Sequence, residues 1–421
     1  MKNRIFDYIQ DIDDTKKAFI DENTLYSYGD IKSIYKKNSS TLKTLQNQQI
    51  YIQNQNRTKL ALLLCLLDGV ASSILLYADG VEEDITSYHK VELNEDNIII
   101  VHRSTCKSIK TDITEHTQWL ISTSGTTATP KLITHTLHSL TRTLQLNSKR
   151  SFQLALTFDI FRFSGLQLFL QSTLSGSTLL IPTNLQKIDD SLKFFAKHKC
   201  NHISATPSFF RKLLMSKHSK DLILHSITLG GEIVDEQILQ SLKTHYPKTK
   251  LRHIYASTEV GVGFCVDDER AGFSKELLHV SKDIELKINS NSILLLKPKG
   301  CEYFTNSGDE VEARGDRVYF IGRESGAINV GGNKVQPSEV ESALMSSKLI
   351  SLVRVYAKKS PILGELVYAD VVSNKSLDDK QLKKALLVHV KNSLEKFKQP
   401  AIIKIVDDII LNNNSKIDRG V

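Results

Sequence analysis

The chain has 421 residues, 40% hydrophobic and 24% charged. These are ordinary values for a globular protein, enough for two or more domains, and they exclude a fibrous, collagen-like or wholly disordered chain. Lys and Arg number 55 against 47 Asp and Glu, a formal charge of +8. That balance suits anionic partners such as nucleotides, an acidic protein or nucleic acid. No run of five or more like charges marks a nucleic-acid arm.

From the front, Met1-Lys-Asn-Arg-Ile-Phe-Asp-Tyr8 lacks the apolar core of a secretory signal. Residues Leu60 to Ala78 approach the length of a membrane span, but Asp68-Gly69 interrupts them, so they predict a buried helix, a turn and a buried strand. No membrane insertion is expected. Cys65, Cys106, Cys200, Cys265 and Cys301 are far apart and odd in number. This argues against a disulfide scaffold or zinc site and for a cytoplasmic protein. Short apolar runs predict strands at Ile50–Ile52, Ser73–Tyr77, Ile98–His102, Trp119–Ser122, Phe152–Leu156, Thr178–Ile181, His202–Ala205, Ser226–Leu229 and Leu251–Tyr255. Helical periodicity falls at Thr136–Leu146, Gly165–Leu174, Ile188–Lys197, Pro207–Leu214 and Glu236–Tyr246. The alternation predicts an α/β fold with mainly parallel sheets. Beyond about Ser281 alternating strands take over (Ile284–Ile288, Ser292–Lys297). The last hundred or so residues form a small α+β unit. It has helices at Pro337–Ser346 and Asp378–Leu394 and strands at Leu352–Ala357 and Glu365–Val372.

Between a predicted strand and helix lies Ser122-Thr-Ser-Gly-Thr-Thr-Ala-Thr-Pro-Lys131. Six hydroxyl residues and Gly125 precede Lys131, a set of donors suited to phosphate oxygens, with a cation at its end. It is not a Walker loop. Pro130 stands where the second glycine should be, and Leu132 where the magnesium-binding hydroxyl should be.

From Thr123 to Lys131 the stretch resembles the T-S-G-T-T-G-x-P-K phosphate loop of adenylate-forming enzymes, with Ala128 in place of a glycine. Further elements follow in that family's order. Phe161-Arg-Phe-Ser-Gly-Leu166 resembles an F-H-x-S-G-L segment of acyl-CoA ligases, with Arg162 for the histidine. Ser204-Ala-Thr-Pro-Ser208, Gly230-Gly231-Glu232 and Tyr255-Ala-Ser-Thr-Glu259 come next. Then come Ser307-Gly308-Asp309 with Gly322-Arg323, Gly332-Asn-Lys-Val-Gln-Pro-Ser-Glu-Val-Glu341, and Ser415-Lys416-Ile-Asp-Arg419 in place of G-K-x-x-R. The resemblance covers about Lys17 to Arg419.

It implies a large N-terminal adenylation domain with a β-subdomain (1–323) and a small mobile C-terminal lid domain (324–421). The implied reaction is ATP-dependent activation of a carboxylic acid to an acyl-adenylate, then transfer to the thiol of CoA or of carrier-protein phosphopantetheine. Carried over residue by residue, Thr123, Ser124, Gly125, Thr126, Thr127 and Lys131 hold the β- and γ-phosphates. Gly230, Gly231, Glu232 and Tyr255 flank the adenine, and Asp309 and Arg323 bind the ribose. Thr258 bonds the α-phosphate, and Glu259 binds Mg²⁺, a hard cation that prefers oxygen ligands. Lys416 bridges the carboxylate and the α-phosphate. Ser325 is the hinge, and Arg162, Ser164 and Thr206 fall in the substrate pocket.

Arg162 could meet a second polar group of the acid or a carboxylate of the protein. Asp159 after Phe158 leaves amino-acid adenylation open, but its spacing to Gly176 is too long for that family's pattern. A non-catalytic homologue is opposed by the matches at Glu259, Asp309, Arg323 and Lys416. Residues 333–421 carry fifteen basic against ten acidic side chains. That excess suits CoA phosphates or an acidic carrier protein. Only 122 residues precede Thr123, which reads as a compact, stand-alone ligase with a trimmed front. The resemblance makes one expectation sharp. Lys416→Ala abolishes adenylate formation, followed by pyrophosphate exchange, and largely spares thiol attack on supplied acyl-adenylate. Equal loss of both half-reactions contradicts it.

Overall fold

The structure is a computed structural model that describes residues 2–53, 55–77, 85–103, 116–123, 131–144, 151–279, 283–360, 364–412 and 414–417. Two compact units divide it: Met1–Ser204 with Asp221–His225, and Ala205–Lys220 with Ser226–Val421.

In the first unit, one sheet runs Ile99–His102, His89–Leu93, Gln49–Ile52, Ser73–Leu76, Gln118–Ser122, Leu132–His135 in spatial order. Its three central junctions are parallel and its edges antiparallel. The parallel centre is why Ser73–Leu76 is buried throughout rather than alternating. In a second group, Thr178–Leu180 lies parallel between Lys17–Ile20 and Gln153–Ala155. Here the predicted helix at Thr136–Leu146 is Leu137–Thr141; residues 145–150 lie outside the described chain.

The apolar stretch from Leu60 resolves as expected. Helix Arg57–Leu67 is capped by Asn56, whose side chain accepts from the Lys59 amide, and residues Leu60 to Leu67 are all buried. A helix apolar on every side is a core helix, and its eleven residues cover only about 16 Å of a ~30 Å bilayer. Among the described residues no helix is long and apolar enough to cross a membrane.

Asp68 ends that helix inside the core. Its carboxylate accepts from the Ile5 amide (2.8 Å) and from Trp119 Nε1 (3.0 Å). Gly69 follows with φ +77°, and a Cβ there would lie 2.0 Å from the Arg4 side chain.

The second unit holds the parallel pair Ser226–Leu229 and Lys250–Ser257, joined by helix Glu236–His245, whose cap Asp235 accepts from the Ile238 amide. Parallel pairing with Leu229 opposite His253 puts the carboxyl ends of both strands at one edge. Gly230 to Glu232 and Thr258-Glu259 follow directly from those ends, the usual place for ligand loops in α/β sheets. An antiparallel sheet follows, in the order Phe273–Ser274, Arg317–Arg323, Thr305–Arg314, Ile293–Pro298, Ile284–Ile288. Arg317 is buried within it. Its guanidinium donates to the carbonyls of Ala271, Arg270 and Gly272 and pairs with Asp268 at 2.6 Å.

The last strands, Ile328–Val330, Asn333–Val335, Ile350–Ser360, Gly364–Ser373 and Ile402–Ile405, form a sheet with helices Pro337–Ser346 and Asp379–Ser393. Val340, Leu344, Leu382, Leu386 and Val390 supply the helices' share of its core.

Burial outweighs the hydrogen bonds to Asp68 and pushes its carboxyl up to about 6, against about 3.9 in an unfolded chain. A raised acid binds its proton more tightly when folded. Its stabilisation is therefore fully present below pH ~4 and is lost as pH rises through about 6, about 3 kcal/mol in all. Asp68→Asn carries no such proton. The stability of this variant relative to the parent should rise by up to that amount from pH 4 to 7. Urea unfolding followed through Trp119, the chain's one tryptophan, measures it. A pH-independent difference would overturn the assignment.

Candidate functional site

In the second unit, three sequence-singled residues meet around one carboxylate. Register sets Asp309 opposite Arg323 in the antiparallel sheet. Arg323 Nε donates to Asp309 Oδ1 at 2.9 Å, and the Tyr255 hydroxyl donates to Oδ2 at 2.5 Å. Asp309 is 8% exposed, and its own amide donates to Ser307 Oγ at 3.0 Å. Burial, then the Asp309 charge, holds the Tyr255 phenol well above its ordinary value, so it stays a donor. The Tyr255 ring lies near-parallel to Phe264 and Phe320, with centroids 5.4 and 5.1 Å away. Burial opposes the charge on Arg323. Asp309, with smaller contributions from Tyr255 and Glu259, more than restores it. Thr258 is partly buried and Glu259 exposed. Gly322 is glycine for space: a Cβ would lie 2.2 Å from Gln336 Oε1.

A second group forms around Gly231. It has φ +78°, and the place of its missing Cβ lies 3.3 Å from Lys416 Cε and 3.7 Å from Thr206 Cγ2. Thr206 caps helix Pro207–Met215 by accepting from the Phe209 amide, and its hydroxyl also donates to the Ser415 carbonyl. Glu232 accepts from the Ser208 amide at 3.0 Å and the Ile417 amide at 3.2 Å. Ser415 is buried at φ +55°. That left-handed conformation explains the family's glycine at this place. Ser325 sits in the exposed turn Glu324–Gly326 between Arg317–Arg323 and Ile328–Val330.

In the first unit, strands Gln118–Ser122 and Leu132–His135 pair antiparallel. Thr123 and Lys131 close the stem: the Thr123 amide donates to the Lys131 carbonyl (2.8 Å), and the Lys131 amide donates to Thr123 Oγ1 (3.1 Å). Ser124, Gly125, Thr126 and Thr127 lie outside the described residues. Arg162 Nη1 donates to Ser122 Oγ at 2.6 Å, to the Thr123 carbonyl at 3.1 Å and to the Ser122 carbonyl at 3.3 Å. These partners are a hydroxyl and two carbonyls, not a carboxylate of the protein. Ser164 is partly buried as the second residue of helix Phe163–Leu174. There Gly165 lets the helix approach the backbone, because a Cβ would lie 2.2 Å from the Asp159 carbonyl.

The profile of the AMP-binding enzyme family matches residues 19–291, and that of the AMP-binding enzyme C-terminal domain matches residues 339–416. A 3,4-dihydroxybenzoate–[aryl-carrier protein] ligase of Bacillus anthracis is 29% identical over 197 residues, 46% of this chain and 45% of that protein. A mitochondrial acyl-coenzyme A synthetase of Rattus norvegicus is 27% identical over 348 residues, 71% of this chain and 60% of that protein. The chain thus spans about half the length of these relatives. Among solved structures, the fold resembles an o-succinylbenzoate CoA synthetase of Bacillus subtilis bound to its acyl-adenylate (TM-score 0.69, 18% identity, 99% of this chain and 97% of that one). It also resembles an anthranilate CoA ligase bound to anthranoyl-AMP (TM-score 0.75, 13% identity, 99% and 97%).

Arg162 grips the stem of the Thr123–Lys131 stretch, so its removal should loosen that stem. Hydrogen bonds from a charged donor are worth about 1.5–3 kcal/mol. Arg162→Ala should therefore speed amide hydrogen exchange at Thr123 and Lys131 about tenfold or more. Arg162→Lys should not restore protection, since an ammonium lacks the planar fork. Unchanged exchange at both amides would contradict this role.

Proposed function

Because the chain belongs to the AMP-binding enzyme family, we propose that it is an AMP-forming acid–thiol ligase. A carboxylate oxygen attacks the α-phosphorus of ATP and pyrophosphate leaves. A thiol sulfur then attacks the acyl carbon, loses its proton and expels AMP. The observation that carries this reading is Lys416, whose Cε and Nζ lie 3.3 and 3.9 Å from the place of the missing Cβ of Gly231. A compact cation on a flexible stem, delivered to that turn, is what a reaction between two anions requires.

Around it the roles divide by chemistry. The paired carboxylate oxygens of Asp309 suit vicinal hydroxyls, and Arg323 supports the same ribose. Tyr255, fixed by its bond to Asp309, flanks the adenine. Thr258 donates to the α-phosphate. Thr123 and Lys131, with the intervening residues, take the β- and γ-phosphates. Glu259 is an exposed hard-oxygen donor next to Arg323, fit to hold Mg²⁺, which supplies charge neutralisation when bound. Ser325 in its exposed turn suits a hinge between an adenylation domain, 1–323, and a lid, 324–421. The substrate is a small carboxylic acid, and the acceptor is CoA or carrier-protein phosphopantetheine. We place the protein in the cytoplasm from its scattered cysteines.

Pyrophosphate exchange with ATP and Mg²⁺ tests the reading. The panel comprises 3,4-dihydroxybenzoate, o-succinylbenzoate, anthranilate, medium-chain fatty acids and the amino acids. Exchange dependent on one acid, followed by AMP release when CoA or a loaded carrier protein is added, is expected. Exchange on amino acids alone moves the protein to the amino-acid-activating branch. ATP binding without exchange on any acid overturns catalysis.

A further inference from the structure

The first amides of helix Pro207–Met215 have an unusual pair of acceptors. Pro207 has no N–H, so Ser208 and Phe209 present the first free donors. Thr206 Oγ1 accepts from Phe209 at 3.1 Å, and Glu232 Oε2 accepts from Ser208 at 3.0 Å. Each of these capping side chains makes a second bond to the C-terminal segment. The Thr206 hydroxyl donates to the Ser415 carbonyl, and Glu232 Oε1 accepts from the Ile417 amide at 3.2 Å. The two anchors therefore fall on the residues immediately before and after Lys416. The segment between them is itself a tight turn. The Asn412 amide donates to the Lys416 carbonyl (2.8 Å), the Lys416 amide to Asn412 Oδ1 (3.1 Å), and the Ser415 amide to the Asn412 carbonyl (2.9 Å).

We infer that Glu232, with Thr206, is a positioning residue: a clasp that holds the Lys416 turn on the helix Pro207–Met215 terminus for the first half-reaction and opens for the second. The inference rests on the ligase reading above and deepens it. It gives Glu232 a different task from flanking a base. Both its carboxylate oxygens serve backbone amides, 24 and 185 residues away in sequence. The helix terminus adds its partial positive charge to the carboxylate's hold. Lys416 is thereby placed by bonds to the backbone carbonyl before it and the backbone amide after it. The clasp consists of hydrogen bonds rather than buried apolar surface, so it can be broken and remade within a catalytic cycle.

Two measurements on the full chain test it. Amide hydrogen exchange needs no substrate. Glu232→Gln replaces one acceptor oxygen by a donor and should speed exchange across residues 414–417 about tenfold or more. Thr206→Val should do likewise, and Thr206→Ser, which keeps the hydroxyl, should stay close to the parent. In the kinetic arm, the acid that the parent activates fastest in pyrophosphate exchange is used with the Glu232→Gln chain. Adenylate formation should fall about tenfold further than thioester formation from supplied acyl-adenylate. A merely structural role lowers both half-reactions together. Unchanged exchange at 414–417, or equal loss of both half-reactions, overturns the clasp. A parent chain inert on every acid overturns the ligase reading instead, and the exchange rates then decide the clasp alone.

Discussion

The second unit is organised by a close approach at Gly231. A Cβ here would crowd a lysine stem 3.3 Å away, and only glycine reaches φ +78° there without strain. The strand Ser226–Leu229 must end where it does for this glycine to stand at the carboxyl edge of the sheet. The helix Pro207–Met215 must start where it does for Thr206 to face it at 3.7 Å. From that contact outward, each element has one place. Thr206 fixes Ser415, Ser415 turns the chain through a left-handed step, and Lys416 lies down on the glycine.

A second constraint is electrostatic. Asp309 is nearly buried, and its two carboxylate oxygens are satisfied by Arg323 and by the Tyr255 hydroxyl. Arg317 solves the mirror problem six residues earlier in the same strand as Arg323. Its buried guanidinium meets three carbonyls and one carboxylate, which ties the Asp268–Gly272 loop to the sheet edge. Removing a partner in either network would leave a desolvated charge, the costliest kind of defect in a core.

Much of this was legible in the sequence because it is local. Short apolar runs located the parallel strands, and Ile188–Lys197, His202–Ala205, Ser226–Leu229, Ile284–Ile288 and Pro337–Ser346 came out with the bounds expected. Asp68-Gly69 announced a turn inside an otherwise membrane-like run. Strands such as Lys17–Ile20, His89–Leu93 and Gly261–Val266 were not legible. They are short or edge strands whose pairing, not whose pattern, defines them. The motif order exposed the candidate site, but not its wiring. Nothing local tells Glu232 that its partner is 185 residues away, or Arg162 that it will grip Ser122 and Thr123. Nor does an arginine in a strand reveal that it will be buried.

The energetics around Lys416 make a reversible arrangement physically reasonable. The Glu232–Ile417 bond, with a charged acceptor, contributes about 1.5–3 kcal/mol, and the Thr206–Ser415 bond about 1 kcal/mol. Against these stand the left-handed backbone of Ser415, about 1–2 kcal/mol, and the ordering of the lysine side chain, about 1.5–2 kcal/mol. The ion pair of Lys212 with Asp408 spans 2.8 Å, but Asp408 is 60% exposed, so screening leaves it little weight. The sum lies near zero, within a few kcal/mol. A terminal turn held that weakly visits open and closed states readily, and binding that favours either by a few kcal/mol suffices to choose between them. Replacing Ser415 by glycine, the family's residue, would shift that balance toward the closed state.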